Sequence, residues 1–155
     1  MRKIISGFQG MRVWLILITV LITSGCKTID YSPHVYDTPT EAMRVIYQTL
    51  EEQQDDHTPY NLEVSESKIV VFYSERASLV GVIGKGAGVE RKFIRYSSIG
   101  KVTLRLKNKW YTIILATVNG HELLHVHTAD IESAERFIDA IETMRHHVVI
   151  KSFSQ

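Results

Sequence analysis

The chain lacks nearly everything that would let it do without a packed core. It has one cysteine in 155 residues, so no internal disulfide framework can form. Three prolines and nine glycines are too few for a low-complexity linker or a collagen-like repeat. The formal net charge is only +1, and 45% of residues are hydrophobic against 23% charged, which excludes long disorder and suits one globular domain. The longest apolar run near the N-terminus falls well short of the ~20 residues that a helix needs to cross a hydrocarbon core. Multi-span membrane folds are excluded with it.

What is present starts at the N-terminus. Arg2, Lys3 and Arg12 precede the apolar run Val13 to Ile22, then Thr23, Ser24 and Gly25 lead to Cys26. A positive start, a short apolar middle and a small-residue exit are the plan of an export signal over residues 1–25. The stretch LITSGC resembles the lipobox of bacterial lipoproteins, with Ser24, Gly25 and Cys26 on its pattern. That resemblance implies a Cys26 carrying diacylglycerol and an N-acyl lipid such as palmitate, at the head of the mature chain, with no other cofactor expected. It also implies the cell envelope and, because Lys27 follows the cysteine, the outer membrane of a Gram-negative cell, facing the periplasm. One acyl chain binds a membrane only marginally, whereas two or three anchor stably.

Loss of residues 1–25 removes three basic and no acidic side chains, leaving 15 basic against 17 acidic, net −2. Such a chain is not built for nucleic acid.

Lys27 to Asp37 has no helical or strand period and contains Pro33, so residues 26–37 read as a tether for one globular domain, 38–155. Thr38, Pro39 and Glu41 spell a helix start, with Ala42, Met43, Ile46, Tyr47 and Leu50 as its apolar face, predicting a helix over 38–54. From Tyr60 to Thr128 the period falls to two. Strands are expected near 61–66, 68–74, 79–83, 93–97, 101–107, 110–118 and 121–128. A second helix is predicted over 130–145, opened by Asp130, Glu132 and Glu135, with an apolar stripe from Ala134 to Met144. The closing run His147–Phe153 has the composition of one more strand. The fold class is therefore α+β.

Seven antiparallel strands ending in one amphipathic helix, over Tyr60 to Arg145, resemble the pleckstrin-homology-type fold. The segment from Arg95 to Met144 is similar to the way such domains finish. The resemblance implies a partly open seven-stranded barrel or sandwich with a capping C-terminal helix. The helix at 38–54 is an addition to that pattern.

His121-Glu122-Leu123-Leu124-His125 spells HExxH, the zincin signature, in which a helix brings two histidines to one zinc beside a glutamate base. The context points to a strand instead. Asn119-Gly120 is a two-residue hairpin signal, and a turn there pairs Ala116 with Leu123, Ile114 with His125 and Thr112 with His127, with Glu122 facing away from both histidines. His121 and His125 then stand about 13 Å apart. His125-Val126-His127 is a weaker metal pattern on one strand face, and would need a ligand such as His146 or His147.

Gly81 to Gly88 does not match a phosphate loop: no Ser or Thr follows Lys85 and no helical pattern follows the glycines. It reads as an inter-strand loop. Between Lys85 and Lys109 lie eight basic residues and one acidic, Glu90, a local +7 against −9 for the rest of the mature chain. Within it Lys101, Arg105 and Lys107 are the candidates for contact with an anionic surface. No Ser/His/Asp order, CxxC or paired-carboxylate site emerges. The expectation is a non-enzymatic envelope lipoprotein, held to membrane lipid through Cys26, whose domain binds or scaffolds an envelope protein or anionic lipid. A zinc metallopeptidase using HELLH and a purely structural lipoprotein are the competitors.

Overall fold

The computed structural model describes residues 27–53, 59–74 and 89–153. Cys26, the expected signal segment 1–25, the expected strand at 79–83 and the glycine-rich run Gly81 to Gly88 lie outside the described residues.

Thr38 is extended and its hydroxyl accepts the Glu41 N–H at 3.3 Å, while Pro39 takes the first helical position, where no N–H is needed. Helix α1 follows as Pro39–Glu51. Its face is set by Ala42, Ile46 and Leu50, all fully buried; Tyr47, expected on that stripe, is exposed. Helix α2 runs Ile131–Phe153. Asp130 caps it, its carboxylate accepting the Ser133 N–H at 2.7 Å, and that bond holds the carboxyl below the usual range.

The strands are β1 Lys27–Ile29, β2 Asn61–Val64, β3 Lys68–Ser74, β4 Val89–Arg95, β5 Lys101–Lys107, β6 Trp110–Ala116 and β7 Glu122–Thr128. They form two antiparallel sheets, β1-β5-β6-β7 and β2-β3-β4. Among the described residues there is no closed barrel. One core joins α1, α2 and the inner faces of both sheets. Ile69, Val71 and Ile94 share it with Ile113, Leu115, Leu124 and Val126 and with Phe137, Ile141 and Met144.

Four expectations are corrected. The tether is not free, because its residues 27–29 pair with β5, Lys27 opposite Leu106 and Ile29 opposite Leu104. Strand β4 starts at Val89, four residues before the expected Phe93, and ends in a 3₁₀ turn at Tyr96–Ser98, where Ser98 Oγ donates to the Arg95 carbonyl at 2.7 Å. The run His147–Phe153 continues α2 rather than forming a strand. No Gly or Pro stops the helix, Val148 packs on the core, and Lys151 and His147 both reach Glu66.

The fourth correction concerns the hairpins. The β6–β7 connection is a three-residue loop, Val118-Asn119-Gly120, closed by Thr117 N–H to the His121 carbonyl at 2.8 Å and Gly120 N–H to the Thr117 carbonyl at 2.9 Å. Only Gly120 is left-handed there, at φ +82°. The extra loop residue moves the pairing by one, and a bulge moves it back, since Ala116 pairs with Glu122 but Leu115 with Leu124. From Leu115 to Tyr111 the expected register is therefore observed. The tight two-residue turn lies instead at Asn108-Lys109, where both residues have positive φ, 50° and 71°. Left-handed backbone destabilises a non-glycine residue by about 1–2 kcal/mol. Lys109→Gly should therefore raise the unfolding free energy by about 0.5–1 kcal/mol, after allowing for the greater freedom of glycine in the unfolded chain. Urea denaturation reads it, and a decrease would mean that the lysine side chain stabilises more than its backbone strains.

The rest of the 27–37 segment lies on α2. Tyr31 Oη donates to both carboxylate oxygens of Asp139, at 2.9 and 3.0 Å, and the His34 N–H donates to the same carboxylate at 2.8 Å. Two residues on, the Tyr36 N–H donates to Thr143 Oγ1 at 2.9 Å. Desolvation, then the bond to Asp139, pushes the Tyr31 phenol from its ordinary 10.0 up to about 12. The neutral phenol is the form that the fold favours, so its contribution is complete below pH 10.0 and disappears as the pH rises through about 12. Asp139→Ala should destabilise by about 2 kcal/mol and lower the Tyr31 titration, read as the difference in phenolate absorbance against Tyr31→Phe in each background, toward 10. An unchanged titration would show that Asp139 does not hold the segment.

Candidate functional site

The bulge that restores the β6–β7 register also decides the chemistry of HELLH. His121 precedes β7, and the motif from Glu122 onward lies on that strand, not on a helix. Doubling Glu122 and Leu123 against one partner residue turns Glu122 to the side that carries His125, and Glu122 Oε2 meets His125 Nε2 at 2.9 Å. The expectation that Glu122 faces away from both histidines is thus corrected for His125. Both side chains are exposed, so the pair is solvent-screened. His127 Nδ1 lies 3.1 Å from Thr112 Oγ1, and its backbone N–H donates to Gln53 Oε1 at the end of α1. His146 and His147 belong to α2, with His147 beside Glu66 rather than His125. Among the described residues no group of three or more His, Cys, Asp or Glu is placed to hold a metal ion.

His125 and His127 line a hollow of about 440 Å³ between the edge strands β4 and β7, together with Tyr73, Glu90, Lys92 and Glu122. Glu90 lies 3.8 Å from Lys92 there, and Glu122 2.9 Å from His125.

The stripe on β5 is real as a surface. Lys101, Arg105 and Lys107 are all exposed while Leu104 between them is buried, the alternation of a strand with one wet face. The three do not share one environment. Lys101 and Arg105 border a groove of about 510 Å³ that Asp30 and Glu142 also line, with Glu142 ion-paired to Arg145. Lys107 stands at the opposite end of β5, in the pair Lys107–Trp110 that closes the Asn108-Lys109 turn.

A second basic surface was missed by sequence reasoning. On the outer face of β2-β3-β4 the register sets Lys68 opposite Arg95, Val70 opposite Phe93 and Phe72 opposite Arg91. The Lys68 ammonium and the Arg95 guanidinium lie 5.0 and 5.5 Å from the centre of the Phe93 ring, and the Arg91 guanidinium 5.3 Å from that of Phe72. Tyr60 tilts against Phe72 at 6.2 Å, and both Tyr60 and Phe93 are exposed. Contacts of this kind contribute about 0.5–1 kcal/mol each at exposed sites. The signal was the alternation Arg91-Phe93-Arg95; with β4 taken to begin at Phe93, Arg91 fell into a loop.

No family model matches the chain, no curated protein matches it, and no solved structure matches it. The chemistry must therefore be tested directly. Calorimetric titration with zinc should give no binding isotherm at micromolar metal, since His121 lies ahead of β7 and His125 along it rather than on successive turns of a helix. A stoichiometric isotherm abolished by His125→Ala would overturn this.

Proposed function

We propose that the chain is a lipid-anchored envelope lipoprotein, held through acylated Cys26 and facing the periplasm from the outer membrane, and that its pleckstrin-homology-like domain is a non-enzymatic binding module. The anchor reading rests on the charged start, the apolar run and LITSGC. Two antiparallel sheets followed by one long helix support the domain reading, with β1 and α1 as additions to the pattern.

The aromatic and cationic outer face of β3-β4 carries the binding role. It offers Arg91, Arg95 and Lys68 around two phenylalanine rings, with Glu63 as the acid paired there, 3.9 Å from Lys68. Cations already seated on rings are partly desolvated and fixed in position, so they lose less freedom on meeting an anionic partner. An anionic envelope partner is the class this face suits.

Metabolic labelling of the full chain with a palmitate analogue should mark the protein, and Cys26→Ser should abolish the label. A photoreactive residue at position 93 should then give envelope adducts that one at the exposed Val118 turn does not. Identical adducts from both positions, or none from position 93, would reject this face as the contact.

A further inference from the structure

Lys27 is already in a sheet, with Leu106 as its partner on β5. Neighbouring strands lie about 4.8 Å apart, and one trans peptide separates consecutive Cα atoms by about 3.8 Å. A membrane anchor at Cys26 therefore has no slack: the end of the sheet where β1 begins is set within roughly 10 Å of it. The segment that read as a spacer follows β1, and Asp139 lays it along α2.

That end of the sheet is the β5–β6 hairpin tip, Lys107-Asn108-Lys109-Trp110. Trp110 is 43% exposed, Lys107, Lys109 and Lys27 are exposed, and Lys109 keeps its place despite a left-handed backbone. An exposed tryptophan flanked by lysines is the chemistry of a membrane interface, where the indole sits at headgroup level and ammonium groups meet phosphates. Trp110 also borders a hollow lined by Glu52 and Asp130, so the cationic residues of the tip are Lys107 and Lys109 of the turn.

We infer that the hairpin tip Lys107–Trp110 is a second membrane contact, which rests on the phospholipid surface beside the lipidated Cys26 and stands the domain end-on to it. This rests on the anchor reading above. It also divides the β5 stripe. Lys101 is six residues up the strand, about 20 Å from the tip, beyond the ~8 Å range of electrostatic attraction at physiological salt. Lys107 and Lys109 touch the surface; Lys101 does not.

The chain has two tryptophans, Trp14 and Trp110, so the full chain with Trp14→Phe reports on Trp110 alone. That protein, purified from membranes, is reconstituted into phosphatidylglycerol–phosphatidylcholine vesicles containing lipid brominated near the headgroup end, and its intact mass is measured. A lipidated mass with quenched Trp110 emission supports the proposal. The contact equilibrium should then weaken about fivefold for each of Lys107→Gln and Lys109→Gln and stay unchanged for Lys101→Gln. A lipidated mass with unquenched Trp110, or an equal loss for Lys101→Gln, overturns the hairpin contact and leaves the anchor standing. An unmodified Cys26 that still carries residues 1–25 overturns the anchor reading and this contact with it.

Discussion

The carboxylate of Asp139 holds the described approach to this domain, through Tyr31 and His34, in place. It accepts from the Tyr31 phenol and the His34 amide while Thr143, one turn along α2, accepts from Tyr36. Thr143 is itself held by the Asp139 carbonyl at 2.7 Å. Two donors to a charged acceptor, the phenol hydrogen shared between its two oxygens, and one donor to an oriented hydroxyl offset the entropy lost in ordering a segment with no period of its own. Once that segment lies on α2, β1 is positioned at the free edge of β5 and covers it, so a sheet that would otherwise end in unpaired backbone at Lys101–Lys107 gains a neighbour along part of its length.

Helix starts and the strands at 68–74 and 101–107 were legible in the sequence because local chemistry and burial agree there. Thr38-Pro39 and Asp130 offer the backbone what a helix terminus lacks, and Val102-Leu104-Leu106 alternates cleanly. Legibility failed where a long-range partner decided. Nothing within Lys27-Thr28-Ile29 announces a strand; β5 makes it one. Nothing between Arg145 and Phe153 announces a helix over a strand, since Val148, Val149 and Ile150 favour extension. Continuation onto the core through Val148, and the reach of Lys151 to Glu66, prevail.

The two hairpins show a subtler limit. Asn-Gly at 119–120 is the stronger tight-turn signal, yet the left-handed pair falls on Asn108-Lys109. The Asn119-Gly120 loop takes one residue more than expected, and the bulge at Glu122-Leu123 absorbs it. Because side chains alternate with a period of two, a one-residue error would have turned Leu124 and Val126 out of the core. Burial of those two side chains fixes the register beyond the bulge, and the bulge is what lets a three-residue loop coexist with it. The pairing of Glu122 with His125 is a by-product of the same adjustment, which is why a motif that spells a metal site ends as an exposed ion pair on a strand.

Charge counting along the chain merges surfaces that the fold keeps apart. The basic residues between 91 and 107 belong to two sheets. On β4, Arg91 and Arg95 lie over aromatic rings, where the quadrupole of each ring holds a cation without neutralising it. On β5, Lys101 and Arg105 border a groove with Asp30 and Glu142, and Glu142 is itself ion-paired with Arg145 at 2.6 Å. Lys107 belongs to neither group, being placed by the turn beside Trp110. A local excess of seven positive charges is therefore not one polycationic patch. Among the described residues it divides into an aromatic and cationic face with Arg91 and Arg95, a groove that Lys101 and Arg105 share with acids, a cationic tip with Lys107 and Lys109, and Lys92, which lies 3.8 Å from Glu90. Any account of what this domain touches has to begin from that division rather than from the total.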